Sequence, residues 1–152
     1  TFEGLARGAA AVELPIMADE AVWTAEDARR LVDADACDLL NIKLAKTGGI
    51  RGAMEIADIA REAGKECMVG AMMEPRISIT AAAHLAMAHP AITMIDLDPP
   101  AWFTSAAPRG GFTQDGAWLR LCGGPGLGLE LLPADVDPAA PTASPSGDGG
   151  DR

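Results

Sequence analysis

The acids and lysines that could do chemistry fall at intervals along the chain, each just past a short apolar run. Asp19 and Glu20 follow Leu14-Pro15-Ile16-Met17-Ala18, and Lys43 and Lys46 follow Leu39-Leu40-Asn41-Ile42. Glu74 comes after Glu66-Cys67-Met68-Val69, and Asp96 and Asp98 follow Ile92-Thr93-Met94-Ile95. A carboxylate at such a place can hold a hard cation such as Mg2+ through oxygen. A lysine beside that cation, partly out of water, has its ammonium form disfavoured and moves toward taking a proton from carbon. The cation would then stabilise enolate-like charge developing on a substrate carboxylate. Asp96 and Asp98 are one residue apart, so on an extended strand end they share a face and can clamp one ammonium group. Glu20 and Lys46 read as supporting or solvated rather than catalytic, and Glu74 as a residue that orients its neighbours. Each acid or lysine alone reads as a solvent contact or a helix cap, and Asp96-Leu97-Asp98 alone as a turn before Pro99-Pro100.

Such residues need a scaffold that brings the ends of the apolar runs together. Thr24, followed by Ala25-Glu26-Asp27, reads as an N-cap with acids in the first turn of a helix that runs to about Ala34. Asp38 to Lys43 reads as a buried strand ending in a cation, and Thr47-Gly48-Gly49 breaks the chain. Ile50, Ala53, Met54, Ala57 and Ala60 then recur with the spacing of a one-sided helix, which Gly64 ends. The cycle repeats: a strand over Glu66 to Val69, a loop from Gly70 to Arg76, and a helix from Ile77 to Ala88 stopped by His89-Pro90. A last strand over Ile92 to Ile95 follows. Strands alternating with helices predict an α/β fold with a parallel sheet, and continuously apolar strands predict one covered on both faces. In such folds functional groups gather at the C-terminal ends of the strands, where the acids and lysines stand.

Beyond Pro100 the chain reads as turns and short strands around Gly110-Gly111-Phe112, Trp118 to Leu121 and Gly123 to Glu130. From Pro133 to Arg152 it is Pro, Ala, Ser, Gly and Asp with almost nothing to bury, which predicts a disordered tail. The 152 residues are 49% apolar, enough for a core, and the formal charge of −10 argues against nucleic acid or anionic lipid as a partner. No apolar run is long enough to span a membrane. Cys37, Cys67 and Cys122 are odd in number and without CxxC spacing, so they read as reduced packing residues of a cytoplasmic protein. His84 and His89 lie in an alanine-rich stretch and do not suggest a zinc site. The chain starts at Thr1 with neither an initiating Met nor a secretory leader, which reads as a processed start or one inside a longer reading frame.

Four motifs, in order, carry a family resemblance over roughly residues 1–130. Leu14 to Glu20 is similar to the fifth barrel strand of the muconate-lactonizing subgroup of the enolase superfamily, and Asn41-Ile42-Lys43-Leu44-Ala45-Lys46-Thr47-Gly48-Gly49-Ile50 to its sixth. Gly70-Ala71-Met72-Met73-Glu74, with Ala81 to Ala86, resembles the seventh strand and helix of dipeptide epimerases, and Ile95-Asp96-Leu97-Asp98 their eighth-strand DxD. The resemblance implies a partial (β/α)8-type barrel, strands five to eight, over residues 1–107, with Thr1 to Glu13 as the helix before the fifth strand. It implies a segment returning toward a capping domain over 108–132, and a tail over 133–152. It further implies Asp19 as a ligand of Mg2+, Lys43 as the acid/base, and Asp96 and Asp98 as receivers of a dipeptide's α-ammonium group.

The implied activity is a cofactor-independent, Mg2+-dependent 1,1-proton transfer at the α-carbon of a dipeptide residue. Family members commonly assemble into multimers, so a homo-oligomer is expected of the whole protein. The strand-two lysines, the strand-three Asp and the strand-four Glu of the family pattern have no counterpart here, so the chain alone is expected to be inactive. A muconate cycloisomerase, an o-succinylbenzoate synthase or an N-acylamino acid racemase would share Asp19 and Lys43. A non-catalytic α/β module is the alternative outside the enzymes, and an open flavodoxin-like sheet the alternative fold, though no glycine-rich phosphate loop follows a strand.

Overall fold

A computed structural model describes residues 1–98 and 108–130. The disordered tail expected over 133–152, and the boundary expected after residue 107, therefore fall wholly or partly outside the described residues.

The chain opens with α1 (Phe2–Ala10), where the Thr1 side chain accepts the Gly4 N–H, and passes to β1 (Met17–Ala18). Next come α2 (Ala25–Asp33), β2 (Leu39–Ile42), α3 (Ile50–Glu62), β3 (Glu66–Val69), α4 (Arg76–Ala88) and β4 (Ile92–Ile95). The four strands form one parallel sheet in the order β1-β2-β3-β4. Sequential parallel neighbours require a crossover between each pair, and α2, α3 and α4 supply them.

Local chemistry sets the boundaries. Thr24 and Asp27 make a reciprocal capping box: the threonine hydroxyl accepts the Asp27 N–H at 3.1 Å, and the aspartate accepts the Thr24 N–H at 2.9 Å. Gly64 takes φ +68° just past α3, where a side chain would be strained. Leu31 of α2, Leu40 and Ile42 of β2, Ile56 of α3, Val69 of β3 and Ile79 of α4 are fully buried in one apolar core. Cys37 and Cys67 belong to that core and burial raises both thiols, Cys67 to about 12; Cys122 is exposed, and all three are free.

One element is shorter than its apolar run suggests. The run begins at Leu14, yet only Met17 and Ala18 pair with β2. Pro15 has no N–H to give a ladder, Leu14 is exposed, and Ile16 donates its N–H to the Asp38 carboxylate at 2.7 Å instead.

Past β4, two small antiparallel pairs complete the described structure. β5 (Arg109–Gly110) pairs with β8 (Leu129–Glu130), and β6 (Phe112–Asp115) with β7 (Trp118–Leu121). Arg76, the first residue of α4, holds this part to the sheet layer. Its Nε donates to Gly110 O at 2.9 Å, its Nη2 donates to Phe112 O, and its guanidinium lies 4.0 Å from the centre of the buried Phe112 ring.

Candidate active site

Strand parity decides which side chains can meet. Ala18 lies beside Leu40, so Asp19 continues alongside Asn41; Asn41 pairs with Met68, and Met68 with Met94. One step further, Ile42 pairs with Val69 and Val69 with Ile95, which aligns Lys43, Gly70 and Asp96 in the next row. Side chains alternate across a sheet, so Asp19, Asn41, Lys43 and Asp96 share the face opposite Leu40 and Ile42. All stand at or just past the C-terminal ends of the strands. Asp96 extends the ladder through its N–H to Val69 O at 2.9 Å. Leu97 is then buried between exposed Asp96 and Asp98. Lys43 and Asp96 are two strand spacings apart, about 10 Å between backbones.

Asp19 is the centre of the best-formed cluster. Lys43 Nζ lies 2.8 Å from its Oδ2, and Asn41 Nδ2 donates to the same oxygen at 3.1 Å. Lys46 Nζ lies 2.7 Å from Oδ1, donates to the Asp19 backbone carbonyl at 2.5 Å, and reaches Asn41 O at 3.4 Å. Burial alone would raise the Asp19 carboxyl, but the hydrogen bonds and charges of Lys43 and Lys46 outweigh it and hold the group below the ordinary carboxylate value. Lys46 can fold back onto Asp19 because the residues after β2 make a single helical turn, with the Lys46 and Thr47 N–H groups both on Lys43 O at 2.9 and 3.1 Å. Gly48 and Gly49, at φ +70° and +100°, then turn the chain into α3.

The other expected residues do not join this cluster. Glu74 is buried, with one oxygen accepting the Met72 N–H at 2.9 Å and the other the Ser78 hydroxyl, so it braces the Gly70–Pro75 loop. Glu20 is exposed and contributes its carbonyl, which accepts the Trp23 indole N–H at 2.9 Å. His89 is buried between Asp58, 3.2 Å away, and the Ala91 N–H at the opposite end of the sheet, while His84 is half-buried in α4.

Of the partners of Asp19, Lys46 was expected as supporting or solvated, and Asn41 was not singled out by the sequence. Lys46 is almost entirely enclosed, its side chain 2% exposed against 12% for Lys43. Asn41 is buried, with Oδ1 lacking a hydrogen-bond partner. A polar residue inside an otherwise apolar strand was the available signal for Asn41; nothing local in the sequence signals the burial of Lys46.

As a site for Mg2+, this cluster offers one hard oxygen donor of the right kind, the Asp19 carboxylate. Among the described residues no group of three or more His, Cys, Asp or Glu comes together, so these residues fit the ion as one ligand of a larger set.

The chain is similar to known proteins over most of its length. The family described as Enolase C-terminal domain-like matches residues 1–136. An L-Ala-D/L-Glu epimerase of Clostridium acetobutylicum is 47% identical over 129 residues, covering 85% of this chain and 36% of the relative. A substrate-liganded L-Ala-D/L-Glu epimerase from Bacillus subtilis superposes with a TM-score of 0.82 at 43% identity, over 84% of this chain and 36% of that one. A dipeptide epimerase from Enterococcus faecalis, complexed with Mg and the dipeptide L-Leu-L-Tyr, gives 0.81 at 43% identity, over 86% and 37%. The chain thus spans about a third of the length of the curated relatives it matches.

Proposed function

The chain belongs to the enolase C-terminal domain-like family, and from that premise we propose that it is the C-terminal half of the barrel of a Mg2+-dependent dipeptide epimerase. The observation that carries the proposal is the Asp19–Lys43 pair at 2.8 Å on the C-terminal edge of a parallel sheet, with Asp96 aligned in the row of Lys43.

Each residue has one task in this reading. Lys43 takes the α-proton from one face of the substrate's second residue, or returns it there. A 1,1-proton transfer needs a base on the opposite face as well. Asp96 and Asp98, both exposed past the end of β4, accept the dipeptide's α-ammonium group through charge-assisted hydrogen bonds. That pair favours a dipeptide over a diene acid or an N-acylated amino acid, neither of which presents a free α-ammonium. Asp19 would be one Mg2+ ligand, and the bound ion supplies positive charge against the substrate carboxylate as negative charge grows next to the α-carbon. Glu74 supports the site through its loop, Lys46 through Asp19, and Glu20 stays at its margin. Residues 108–132 are taken as the segment returning toward the capping domain.

With one metal carboxylate and one base, residues 1–152 alone would not turn over. The test is an epimerisation assay on the full-length protein carrying this chain, against a panel of dipeptides. Epimerisation that EDTA abolishes and Mg2+ restores is expected; activity on diene acids or N-acylamino acids but on no dipeptide would overturn the reading.

A further inference from the structure

We propose that Lys46, with Asn41, is a positioning bracket that fixes Asp19 and leaves Lys43 as the one cation of the cluster free to leave it. This rests on the epimerase reading above and adds a division of labour between two lysines three residues apart.

The two ammonium groups contact the same carboxylate in different ways. Lys46 Nζ uses its three donors on three acceptors: Asp19 Oδ1 at 2.7 Å, Asp19 O at 2.5 Å and Asn41 O at 3.4 Å. Two of these are backbone carbonyls, one at the end of β1 and one in β2, so the side chain ties adjacent strand ends as well as holding a carboxylate. With its side chain 2% exposed, moving it would strand a buried charge. Among the described residues Lys43 has a single partner, Asp19 Oδ2, and it has a more open side chain. Asn41 meets that oxygen from below through Nδ2 at 3.1 Å. When Lys43 turns to a substrate, Lys46 on Oδ1 and Asn41 on Oδ2 still define where the carboxylate stands. Asn41 in turn is seated against Gly70: a Cβ there would lie 2.6 Å from Asn41 Oδ1.

The experiment compares wild type, Lys46→Met and Lys43→Met in the full-length protein, measuring Mn2+ affinity by electron paramagnetic resonance, kcat and KM for a dipeptide, and the crystal structure of each. A lysine acting only as a nearby positive charge weakens metal binding, so removing it would tighten Mn2+. A lysine that positions the ligand has the opposite effect: Lys46→Met should weaken Mn2+ about tenfold or more and lower kcat with little change in KM. Lys43→Met should lose epimerisation and keep Asp19 in place.

Unchanged or tighter Mn2+ binding in Lys46→Met, or an Asp19 carboxylate that keeps its position there, overturns the proposal. If Lys46→Met does not fold, the Mn2+-bound wild-type structure decides: Lys46 Nζ on Asp19 O with Lys43 withdrawn supports the bracket, and Lys46 turned outward overturns it. A wild type that epimerises no dipeptide would count against the epimerase reading, while the position of Asp19 in the Lys46→Met crystal still decides the bracket.

Discussion

At the scale of single residues, Asp19 is defined as much by what surrounds it as by its own carboxyl. Two ammonium groups and one amide share its two oxygens. The chain of support extends to Gly70, whose missing side chain makes room for the Asn41 amide. In the proposed epimerase, Gly70→Ala should push Asn41 off Asp19 and lower kcat by about tenfold, as loss of a supporting hydrogen bond beside a metal ligand does. Kinetics alongside a thermal unfolding curve check this, because a fall in kcat without loss of folded protein is the expected signature. The placement of Asp19 and Lys43 just past strand ends was legible in the sequence, since each follows an apolar run. The depth of Lys46 was not, because it depends on a tertiary contact 27 residues away in sequence.

At the scale of elements, most boundaries follow from caps and breakers that a sequence displays. The Thr24 box, the Gly48-Gly49 turn, Gly64 and His89-Pro90 bound the helices where expected. β1 is the exception, since Pro15 has no N–H to give and the Ile16 N–H goes to the Asp38 carboxylate, although the Ile16 carbonyl still accepts the Leu39 N–H. Thr24→Ala should destabilise the fold by about 1 kcal/mol through the lost cap. The box also carries a pH dependence. Asp27 is raised by burial but held below its ordinary value by hydrogen bonds from the Thr24 hydroxyl and the Thr24 and Trp23 N–H groups. A depressed carboxyl contributes stability above its unfolded pKa and loses it as pH falls through the folded one. The stability gap between wild type and Asp27→Asn, read by thermal unfolding, should therefore be present at neutral pH and shrink in acid below the usual carboxylate range. Arg76 is the element-scale contact that sequence could not offer, since it joins the start of α4 to strands more than thirty residues on. Arg76→Ala should cost about 2 kcal/mol by leaving two carbonyls without their charged donor, and hydrogen exchange should rise first in β5 and β6.

At the scale of the whole molecule, the sheet is parallel and bounded by β1 and β4, each paired on one side within the described residues. That is what half of a closed barrel looks like, and the match to the C-terminal domain of enolase-superfamily enzymes, at TM-scores of 0.82 and 0.81, agrees with it. The fold class was legible because alternating apolar strands and one-sided helices admit few topologies. Completeness of the active site is a different matter, since the proposed reaction needs a second base and further metal ligands beyond those described. The proposed role of Lys43, serving one face of a substrate α-carbon, is the one on which the reaction depends. It is tested most directly by proton NMR of a dipeptide in D2O with Mg2+ and the full-length protein carrying this chain, as wild type and as Lys43→Met. Wild type should wash deuterium into the α-position of both epimers while interconverting them; Lys43→Met should interconvert neither and exchange at most one. Full interconversion by Lys43→Met, or no α-exchange of any dipeptide by the wild type, would contradict it.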